Sequence, residues 1–453
     1  MNNLFKLGIK KIFLLIKNNK ISYSEIVNIC INNLLKINNK NYFLLKILKK
    51  ESLKIAKQLD KKNFKEFIIP ISIKNIYSIK NNLLSCNSKI LKNNISSYNS
   101  SIVKIIKKYN LILISLDRLE EFCIGSSGTN NCEKIKNIYN KNFIPGGSSS
   151  GSAISVSSGC VVGSIGSDTG GSIRTPSSFL NLVGFKPTYG KISRNGMVPY
   201  SNSLDCCSII TNYSLDCKFL FNILSTKNID LSSFKKYLDN KYIKVKIIVL
   251  LFDDLYYNYE YKKAFEKIIF NFKILNYTIM FKKIDLSILF YEYMILSSKE
   301  FYTNSCKFDG IKFGYKKNIF KNINDFTKLS RCFYNTCKNK ILLGKQNFYL
   351  KNQKIKIDKK ILNFFNELFI NADFLIIPFF NNIKLKNINY SEYNDYITTF
   401  SNLIGYPSIT IPACMVNHLP FSFNIIGELY SDNLMLELAI KYENCFLNNY
   451  VSI

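Results

Sequence analysis

Residues 145–152 read PGGSSSGS and residues 166–174 read GSDTGGSIR, and these two stretches decide how the fold is read. The surrounding chain is crowded with Lys, Asn, Ile and Phe, whereas this region is rich in Gly and Ser. Such a local departure from the overall composition indicates that function fixes these residues. Two successive glycines allow a tight turn whose N–H groups converge on one point, as in an oxyanion hole, and Ser172 closes that turn. The pattern therefore predicts a serine nucleophile at Ser172.

Other interpretations of a Gly/Ser-rich loop are a flexible linker and a phosphate cradle. Neither GxxxxGK[ST] nor a well-placed GxGxxG occurs, so the phosphate interpretation is weak. The chain has one histidine, His418, in a turn-like setting between two expected strands. A site with several histidine ligands is thus excluded, and we expect no metal site. A Ser-His-Asp triad would have to depend on His418, so the base that activates a serine is not expected to be histidine.

The segments around these loops alternate between helical and strand patterns. Residues 67–74 place Ile71 and Ile73 on one face of a strand and Ser72 and Lys74 on the other. Short apolar runs predict further strands, and amphipathic segments predict helices. The strands are expected at residues 111–115, 245–252, 374–378, 408–412 and 421–426, and the helices at 25–35, 102–109 and 433–446, with Ser22 or Ser24 capping the first and Ser431 or Asp432 the last. This order predicts the α/β class.

Length alone does not settle the number of domains, and we treat the chain as one. The 453 residues are 47% hydrophobic, with no apolar run long enough to span a bilayer. We expect a soluble, cytoplasmic protein that does not bind membranes. We divide residues 1–453 into a helical N-terminal segment (about 1–63), a catalytic core (about 67–210), a helical insertion with the substrate pocket (about 255–370) and C-terminal strands with a helix (about 371–453).

The formal charge of +31 has two explanations. It could attract nucleic acid or another acidic partner. Lys, Asn, Ile, Phe and Tyr are spread over the whole sequence, however, as a strongly AT-biased coding sequence would produce. No nucleic-acid-binding motif accompanies the charge, so coding bias is the favoured explanation. The thirteen cysteines are scattered without zinc-site or C-x-x-C spacing, and we expect them to be reduced.

The two Gly/Ser-rich stretches closely resemble the amidase signature family. The resemblance implies a single amidase domain with a central mixed β-sheet covered by helices on both faces. It also implies a catalytic set of Ser172 as nucleophile, Ser148 as charge relay after a cis peptide bond, and Lys74 as base. Lys74 ends the stretch PISIK (residues 70–74), which resembles the family's strand with the catalytic lysine. A lysine removed from water can be neutral and accept a proton, so such a triad is chemically coherent.

The same resemblance implies an oxyanion hole and a substrate pocket. The oxyanion hole is assigned to the backbone of Thr169, Gly170, Gly171 and Ser172. The pocket is assigned to Asp395, Ser126, Phe308 and Lys340. Asp395 resembles the acidic residue that holds a glutamine α-amino group. Lys340 stands where family members carry an arginine for the α-carboxylate, and a lysine lacks that residue's bidentate grip.

Within the family, the resemblance is strongest to the glutaminase subunits of tRNA-dependent amidotransferases. It runs from about Ser22 to the end of the chain. It implies a heterotrimer with the B and C subunits of such a complex, glutamine as amide donor, and Glu-tRNA(Gln) bound through the complex. No cofactor is expected on this chain, whereas ATP and magnesium are implied for one of the partners. Two alternatives stay open: a stand-alone amidase acting on small amides, and a basic nucleic-acid or assembly protein with a decayed site.

Overall fold

The computed structural model describes residues 4–62, 68–128, 135–225, 232–233, 246–251, 259–311, 314, 322–349, 359–379 and 392–447. The strands are β1 (Leu44–Ile47), β2 (Pro70–Lys74), β3 (Ile112–Asp117), β4 (Gly163–Asp168), β5 (Val183–Lys186), β6 (Cys206–Thr211), β7 (Lys246–Leu251), β8 (Thr278–Lys283), β9 (Phe374–Phe379), β10 (Ser408–Val416) and β11 (Leu419–Gly427). Three predicted strand ends, residues 67, 245 and 252, lie outside the described residues.

Helices occupy most of the remaining described chain. They are α1 (Gly8–Lys17), α2 (Tyr23–Asn41), α3 (Lys49–Lys61), α4 (Ser101–Lys108), α5 (Ser150–Ser157), α6 (Arg174–Phe179), α7 (Ser214–Leu224), α8 (Tyr259–Ile274), α9 (Ser287–Ser305), α10 (Ile323–Ser330), α11 (Asn335–Tyr349), α12 (Lys359–Asn371), α13 (Glu392–Leu403) and α14 (Asp432–Phe446). None of the described helices is both long enough and apolar enough to cross a membrane.

All eleven described strands belong to one mixed sheet, in the order β1-β3-β2-β4-β6-β5-β10-β11-β9-β7-β8. The strand β2 runs parallel to β3 and β4, and β7 runs parallel to β8 and β9, while the other pairs are antiparallel. Ile247 and Val249 of β7 pack into one apolar cluster, and Ile248 and Leu250 pack into a second. Successive strand residues point to opposite faces, so both faces are covered, and the predicted fold class is confirmed.

The alternation predicted for β2 is present and gives its two faces different roles. Ile71 and Ile73 pack into the larger apolar cluster. Ser72 and Lys74 instead make side-chain hydrogen bonds to polar residues of other elements. All residues of this strand are buried, so its polar face is an internal surface and not a solvated one.

The N-terminal segment has the predicted helices and a strand, β1, that the sequence did not signal. Ser22 caps α2 through a capping box: its hydroxyl accepts the N–H of Glu25, and the Glu25 carboxylate accepts the N–H of Ser22. Ser24 does not fill this role, because its N–H donates to Asp60 and it lies inside the helix. The choice between the two predicted caps is therefore settled for Ser22.

Three strands inside or beside the catalytic region, and one in the expected helical insertion, were not predicted. The strands β4, β5 and β6 contain Gly, Ser, Cys or Thr at positions where strand patterns usually show large apolar residues. In β4 small residues are needed, since a Cβ at Gly166 would lie 2.6 Å from Ile173 Cδ1. The segment expected to be helical around residues 255–370 also contains β8 at the edge of the sheet.

The C-terminal elements follow the prediction except at one helix cap. The strands β10 and β11 form a hairpin whose turn places Asn417 and His418 at positive φ, which confirms the turn predicted there. Ser431 occupies the N-cap position of α14, but its hydroxyl donates to the carbonyl of Glu428. The Asp432 carboxylate accepts from Thr188 instead. Neither residue caps this helix with its side chain, so that prediction is wrong.

Candidate active site

Three segments that are distant in sequence bring the predicted catalytic residues to one edge of the sheet. Lys74 is the last residue of β2, and Ser172 lies in the loop between β4 and α6. The strands β2 and β4 are parallel neighbours, so their carboxyl ends meet at the same edge. Ser148 precedes α5, and the peptide bond between Gly147 and Ser148 is cis, as the family resemblance implies.

Lys74 and Ser148 are in direct contact. Lys74 Nζ lies 2.8 Å from Ser148 Oγ and 3.1 Å from Ser167 Oγ. Lys74 and Ser148 are both fully buried. No carboxylate of the described residues lies within salt-bridge distance of Lys74, so serine hydroxyls are its hydrogen-bond partners. Ser167 was not singled out from the sequence, although it belongs to the GSDTGGSIR stretch.

Ser172 adjoins this pair without a hydrogen bond to it. Its carbonyl accepts the N–H of Ser149 at 3.3 Å, which brings the two Gly/Ser-rich loops together. Among the described residues there is no hydrogen bond between the hydroxyls of Ser172 and Ser148. Catalytic hydrogen bonds are often longer without substrate and tighten in the complex. Ser172 is 9% exposed, whereas Lys74 and Ser148 are fully buried.

The loop between β4 and α6, named the nucleophile loop after the role predicted for Ser172, is held by a buried ion pair between Asp168 and Arg174. Their side chains are 2.9 Å apart and fully buried. The Asp168 carboxylate also accepts the N–H groups of Gly171 and Ile173, at 2.9 and 3.2 Å. Burial opposes the ionisation of Asp168, but the charge and hydrogen bonds of Arg174 outweigh it and hold the pKa of that carboxyl well below its usual range. The carboxylate therefore fixes the turn that presents Ser172.

The backbone donors of the predicted oxyanion hole are not equivalent. The N–H of Gly171 is already used by Asp168, so this residue contributes conformation and not a donor. Gly171 has φ 119°, and a Cβ there would collide with Thr398. The N–H groups of Thr169, Gly170 and Ser172 have no acceptor within the described part of the chain. These three donors are available for a developing oxyanion.

Three of the four predicted pocket residues are linked around this loop. The Ser126 hydroxyl donates to Asp395 at 3.2 Å. Lys340 is buried, and its ammonium lies 5.7 Å from the centre of the Tyr293 ring and 6.0 Å from that of Tyr200. Burial lowers the pKa of Lys340 to about 8, against the opposing charge of Asp395. The pocket thus combines one acidic and one basic side chain.

Tyr293, on α9, is a pocket residue that the sequence did not reveal. A Cβ at Gly170 would collide with its hydroxyl, so the tyrosine lies directly against the nucleophile loop. Burial raises the pKa of Tyr293, as do the nearby Tyr200 and Asp395. The chain has 29 tyrosines, and no motif surrounds Tyr293, so no sequence signal distinguishes it.

Phe308, the fourth residue predicted for the pocket, lies in an aromatic cluster. Its ring centre lies 5.0 Å from that of Phe122, in an aromatic cluster that includes Phe333. The ring is 5% exposed and packs among these aromatic side chains. Residues 312 and 313 of the stretch used to select it lie outside the described residues.

His418 and metal ligands take no part in this arrangement. His418 is in the β10–β11 hairpin turn, outside the site. The described part of the chain contains no group of three or more His, Cys, Asp and Glu side chains that could hold a metal ion. The groups that the structure brings together at the site are two serines, a lysine and backbone N–H groups.

Comparison with known proteins gives a family and sequence relatives. The family model described as Amidase matches residues 25–436. The chain is 33% identical to the A subunit of glutamyl-tRNA(Gln) amidotransferase from Clostridium kluyveri, over 95% of this chain and 93% of that one. It is 31% identical to the protein of the same name from Bacillus licheniformis, over 97% of each chain.

Solved structures share the fold across nearly the whole chain. The crystal structure of the A subunit of glutamyl-tRNA(Gln) amidotransferase from Thermotoga maritima superposes with a TM-score of 0.77 at 24% identity, covering 98% of this chain and 95% of that one. A crystal structure of an amidase superposes with a TM-score of 0.78 at 19% identity, covering 97% and 100%. At these identities the structural likeness shows the fold alone.

Proposed function

The chain belongs to the amidase family, and on that premise we propose that it is the glutamine-hydrolysing subunit of a tRNA-dependent amidotransferase. The relatives named above, at 31–33% identity over nearly full length, are named as amidotransferase subunits. The single observation that supports the chemistry most directly is the buried contact between Lys74 and Ser148 beside the Ser172 loop.

The proposed reaction begins with proton transfer along the three residues. Lys74, in its neutral form, accepts a proton from Ser148, which accepts one from Ser172. The Ser172 oxygen then attacks the side-chain amide carbon of glutamine, and the amide oxygen becomes negatively charged. The N–H groups of Thr169, Gly170 and Ser172 stabilise that oxyanion. The proton returns to the amide nitrogen through Ser148, and ammonia leaves an acyl-enzyme on Ser172.

Water completes the proposed cycle. It attacks the ester carbon, giving up a proton through Ser148 to Lys74, and forms a second oxyanion in the same place. Collapse of this intermediate breaks the bond to Ser172, which recovers its proton, and releases glutamate. Ammonia and glutamate are thus the two products, and no cofactor bound to this chain is required by the steps.

Recognition of glutamine is assigned to the charged pair of the pocket. Asp395 would hold the α-ammonium group, with Ser126 orienting its carboxylate through their hydrogen bond. Lys340 would hold the α-carboxylate as a point charge. With the glutamine side-chain amide at Ser172, its α-amino and α-carboxylate groups would have to meet Asp395 and Lys340 on the far side of the pocket. Tyr293 lies between the loop and Lys340.

The partners follow from this proposal. Ammonia would pass to the B subunit of the complex, where ATP and Mg²⁺ would activate Glu-tRNA(Gln). Reaction with ammonia would then produce Gln-tRNA(Gln). The C subunit would join the two larger chains. The tRNA and the nucleotide would therefore be bound by the complex outside this chain. Since the reaction serves translation, we infer a cytoplasmic location.

The decisive experiment measures ammonia release by the purified chain, with and without the B and C subunits and Glu-tRNA(Gln). Glutamine and a simple amide such as benzamide are the two substrates. We expect glutamine hydrolysis that rises when the partners are added and disappears in Ser172→Ala. The matched control is Ser150→Ala, two residues from Ser148, which removes a buried hydroxyl that has no hydrogen-bond partner within the described residues. Activity on benzamide alone, indifferent to the partners, would identify a stand-alone amidase instead.

Salt dependence separates the third hypothesis, a basic nucleic-acid protein, from both enzymes. Nucleic-acid binding through many lysines weakens steeply with salt because counterions are released. Hydrolysis of free glutamine by this site involves no such release. We expect glutaminase activity to change by less than about twofold between low and moderate salt, whereas binding to unrelated RNA would weaken by orders of magnitude.

A further inference from the structure

Asp117, the last residue of β3, has a carboxylate that is surrounded by serine hydroxyls. It is fully buried, and no described lysine or arginine lies within ion-pair distance of it. Five hydroxyls donate to it: those of Ser72 at 2.6 Å, Ser155 at 2.9 Å, Ser152 and Ser164 at 3.0 Å each, and Ser115 at 3.1 Å. The mechanism proposed above does not use this residue.

The donors come from the elements that carry the catalytic pair. Ser72 is two residues before Lys74 on β2 and shares its face of the strand. Ser152 and Ser155 lie on α5, which begins directly after the loop that holds Ser148. The backbone carbonyl of Asp117 also accepts the N–H of Asn75, next to Lys74, at 3.0 Å. One carboxylate therefore connects the strand of Lys74 with the helix that follows Ser148.

A third connection reaches the strand of Ser167, the second partner of Lys74. Ser164 on β4 donates to the same carboxylate oxygen as Ser72, and the two hydroxyl oxygens are 2.8 Å apart. Thus β2, β4 and α5 converge on one point. Because Asp117 is closed off from solvent, it cannot act as a ligand site, and its contacts lie entirely within the protein.

We propose that Asp117 is a positioning residue, whose carboxylate sets the distance between Lys74 Nζ and Ser148 Oγ by clamping β2, β4 and α5 together. This inference rests on the proposed amide hydrolysis through Lys74 and Ser148. Hydrogen bonds to a carboxylate are shorter and stronger than those between neutral groups, so the clamp is well defined in length and direction. A misplacement of catalytic groups by about 1 Å can cost up to about a hundredfold in rate.

The clamp depends on the charge of Asp117, which gives a pH signature. Burial raises the pKa of Asp117 to about 6, although the serine donors oppose the rise. Above that pH the ionised carboxylate accepts all of its hydrogen bonds, and below it a proton replaces one of them. The titratable group that interacts with it is the Cys160 thiol after α5, while Lys74, its register partner on β2, directs its side-chain nitrogen to Ser148 and Ser167. A thiol whose pKa burial raises to about 12 stays neutral throughout this range.

The test compares Asp117→Asn with the wild-type chain in complex with its partners, using ammonia release from glutamine. We expect kcat to fall by about tenfold or more with KM changed by less than about twofold, and the acid limb near pH 6 to disappear. A purely structural role would lower thermal stability and leave kcat and the acid limb of the folded enzyme unchanged, which would overturn the proposal.

Two variants that each remove one serine hydroxyl test the proposal even if Asp117→Asn does not fold. Ser155→Ala removes a donor that bridges from α5, whereas Ser115→Ala removes a donor on Asp117's own strand. Both hydroxyls bond to the same carboxylate oxygen, at 2.9 and 3.1 Å. We expect Ser155→Ala to lower kcat by about threefold or more and Ser115→Ala to leave it within about twofold. Equal effects would contradict the clamp.

The test of the positioning role of Asp117 can be distinguished from the test of the glutaminase assignment. If the wild-type complex hydrolyses benzamide and not glutamine, the glutaminase assignment fails, but the same variants are then measured on benzamide. Lys74 and Ser148 are required for either amide. Loss of kcat in Ser155→Ala on benzamide would still support the positioning role of Asp117, and an unchanged kcat would refute it.

Discussion

Lys340 gives the pocket a charge that changes near pH 8. Its pKa is lowered to about 8 by burial, so the side chain is cationic below that pH and neutral above it. If it holds the glutamine carboxylate, only the cationic form contributes. We therefore expect kcat/KM for glutamine to fall as the pH rises through about 8, while kcat at saturating glutamine changes less. Steady-state ammonia release between about pH 6.5 and about pH 9.5 measures both quantities.

The control for this prediction is Lys340→Arg, since an arginine keeps its charge throughout that range and can bond to a carboxylate through two N–H groups. In this variant the fall in kcat/KM above about pH 8 should shrink or vanish. If wild type and variant decline together, the titrating group lies elsewhere and Lys340 does not bind the carboxylate.

Arg174 is a single residue on which the nucleophile loop depends. Its guanidinium bonds to Asp168, to Ser401 at 2.8 Å and to Asn402 at 2.6 Å, all in a fully buried position. Arg174→Met would leave the Asp168 charge buried without its partner, and we expect the free energy of unfolding to fall by about 3–5 kcal/mol. Denaturant unfolding followed by circular dichroism measures this. A loss below about 1 kcal/mol would mean that the loop reorganises easily.

At the level of elements, the start of α2 offers a clean comparison between neighbouring serines. The Ser22 side chain accepts the N–H of Glu25 and belongs to a capping box, whereas the Ser24 hydroxyl makes no recorded bond within the described residues. Ser22→Ala should lower the free energy of unfolding by about 1 kcal/mol, because an orphan N–H loses its acceptor. Ser24→Ala should change it by less than about 0.5 kcal/mol. Chemical unfolding of both variants in parallel decides the matter, and similar losses would contradict the cap assignment.

The elements also show where sequence patterns carry information. The strand β2 was recognisable because its apolar and polar residues alternate, and the β10–β11 hairpin because two apolar runs flank a turn. The strand β4 was not, since GSIGSD has low strand propensity and its small residues serve the packing of the adjoining loop. Its place in the sheet is decided by pairing with β2 and β6, which a local pattern does not contain.

For the whole molecule, the docking of the N-terminal helix should make stability depend on pH. The Asp216 carboxylate accepts the N–H of Ile9 at the start of α1, 207 residues away in sequence. Burial raises the pKa of Asp216 from 3.8 to about 7. Because this pKa is higher in the folded state than in the unfolded state, the contribution of Asp216 to the free energy of unfolding is complete below about pH 4. That contribution is lost as the pH rises through about 7.

We therefore expect Asp216→Asn to flatten the pH dependence of stability between about pH 5 and about pH 8. Wild type should lose at least about 1 kcal/mol of unfolding free energy over that interval, and the variant less, because asparagine has no charge to bury. Thermal or urea unfolding at several pH values measures the slope. Asp285→Asn is the control: Asp285 is exposed and its pKa is lowered by Ser287, so its titration lies below the interval. An unchanged slope in Asp216→Asn would show that other groups govern it.

Some residues of the candidate site could be predicted from the sequence, and others could be identified only from the structure. Ser172, Ser148 and Lys74 could be named from motifs because the glycines and serines around them stand out against the Lys/Asn-rich background. Tyr293 and Asp117 could not, since one tyrosine on a helix and one aspartate at a strand end carry no local signature. Phe308 was selected because its stretch matched a family pattern, and in the structure its ring packs against Phe122.

The sequence by itself determined the family and the α/β class and predicted the serine and lysine groups of the site, because backbone freedom at glycine and side-chain chemistry are local properties. Only the tertiary structure decided which groups meet. Parallel pairing of β2 with β4 brings Lys74 to Ser167 and to the start of the Ser172 loop, and burial around β3 gathers five hydroxyls on Asp117. Contacts between residues distant in sequence arise from strand order and packing, which depend on the whole chain at once.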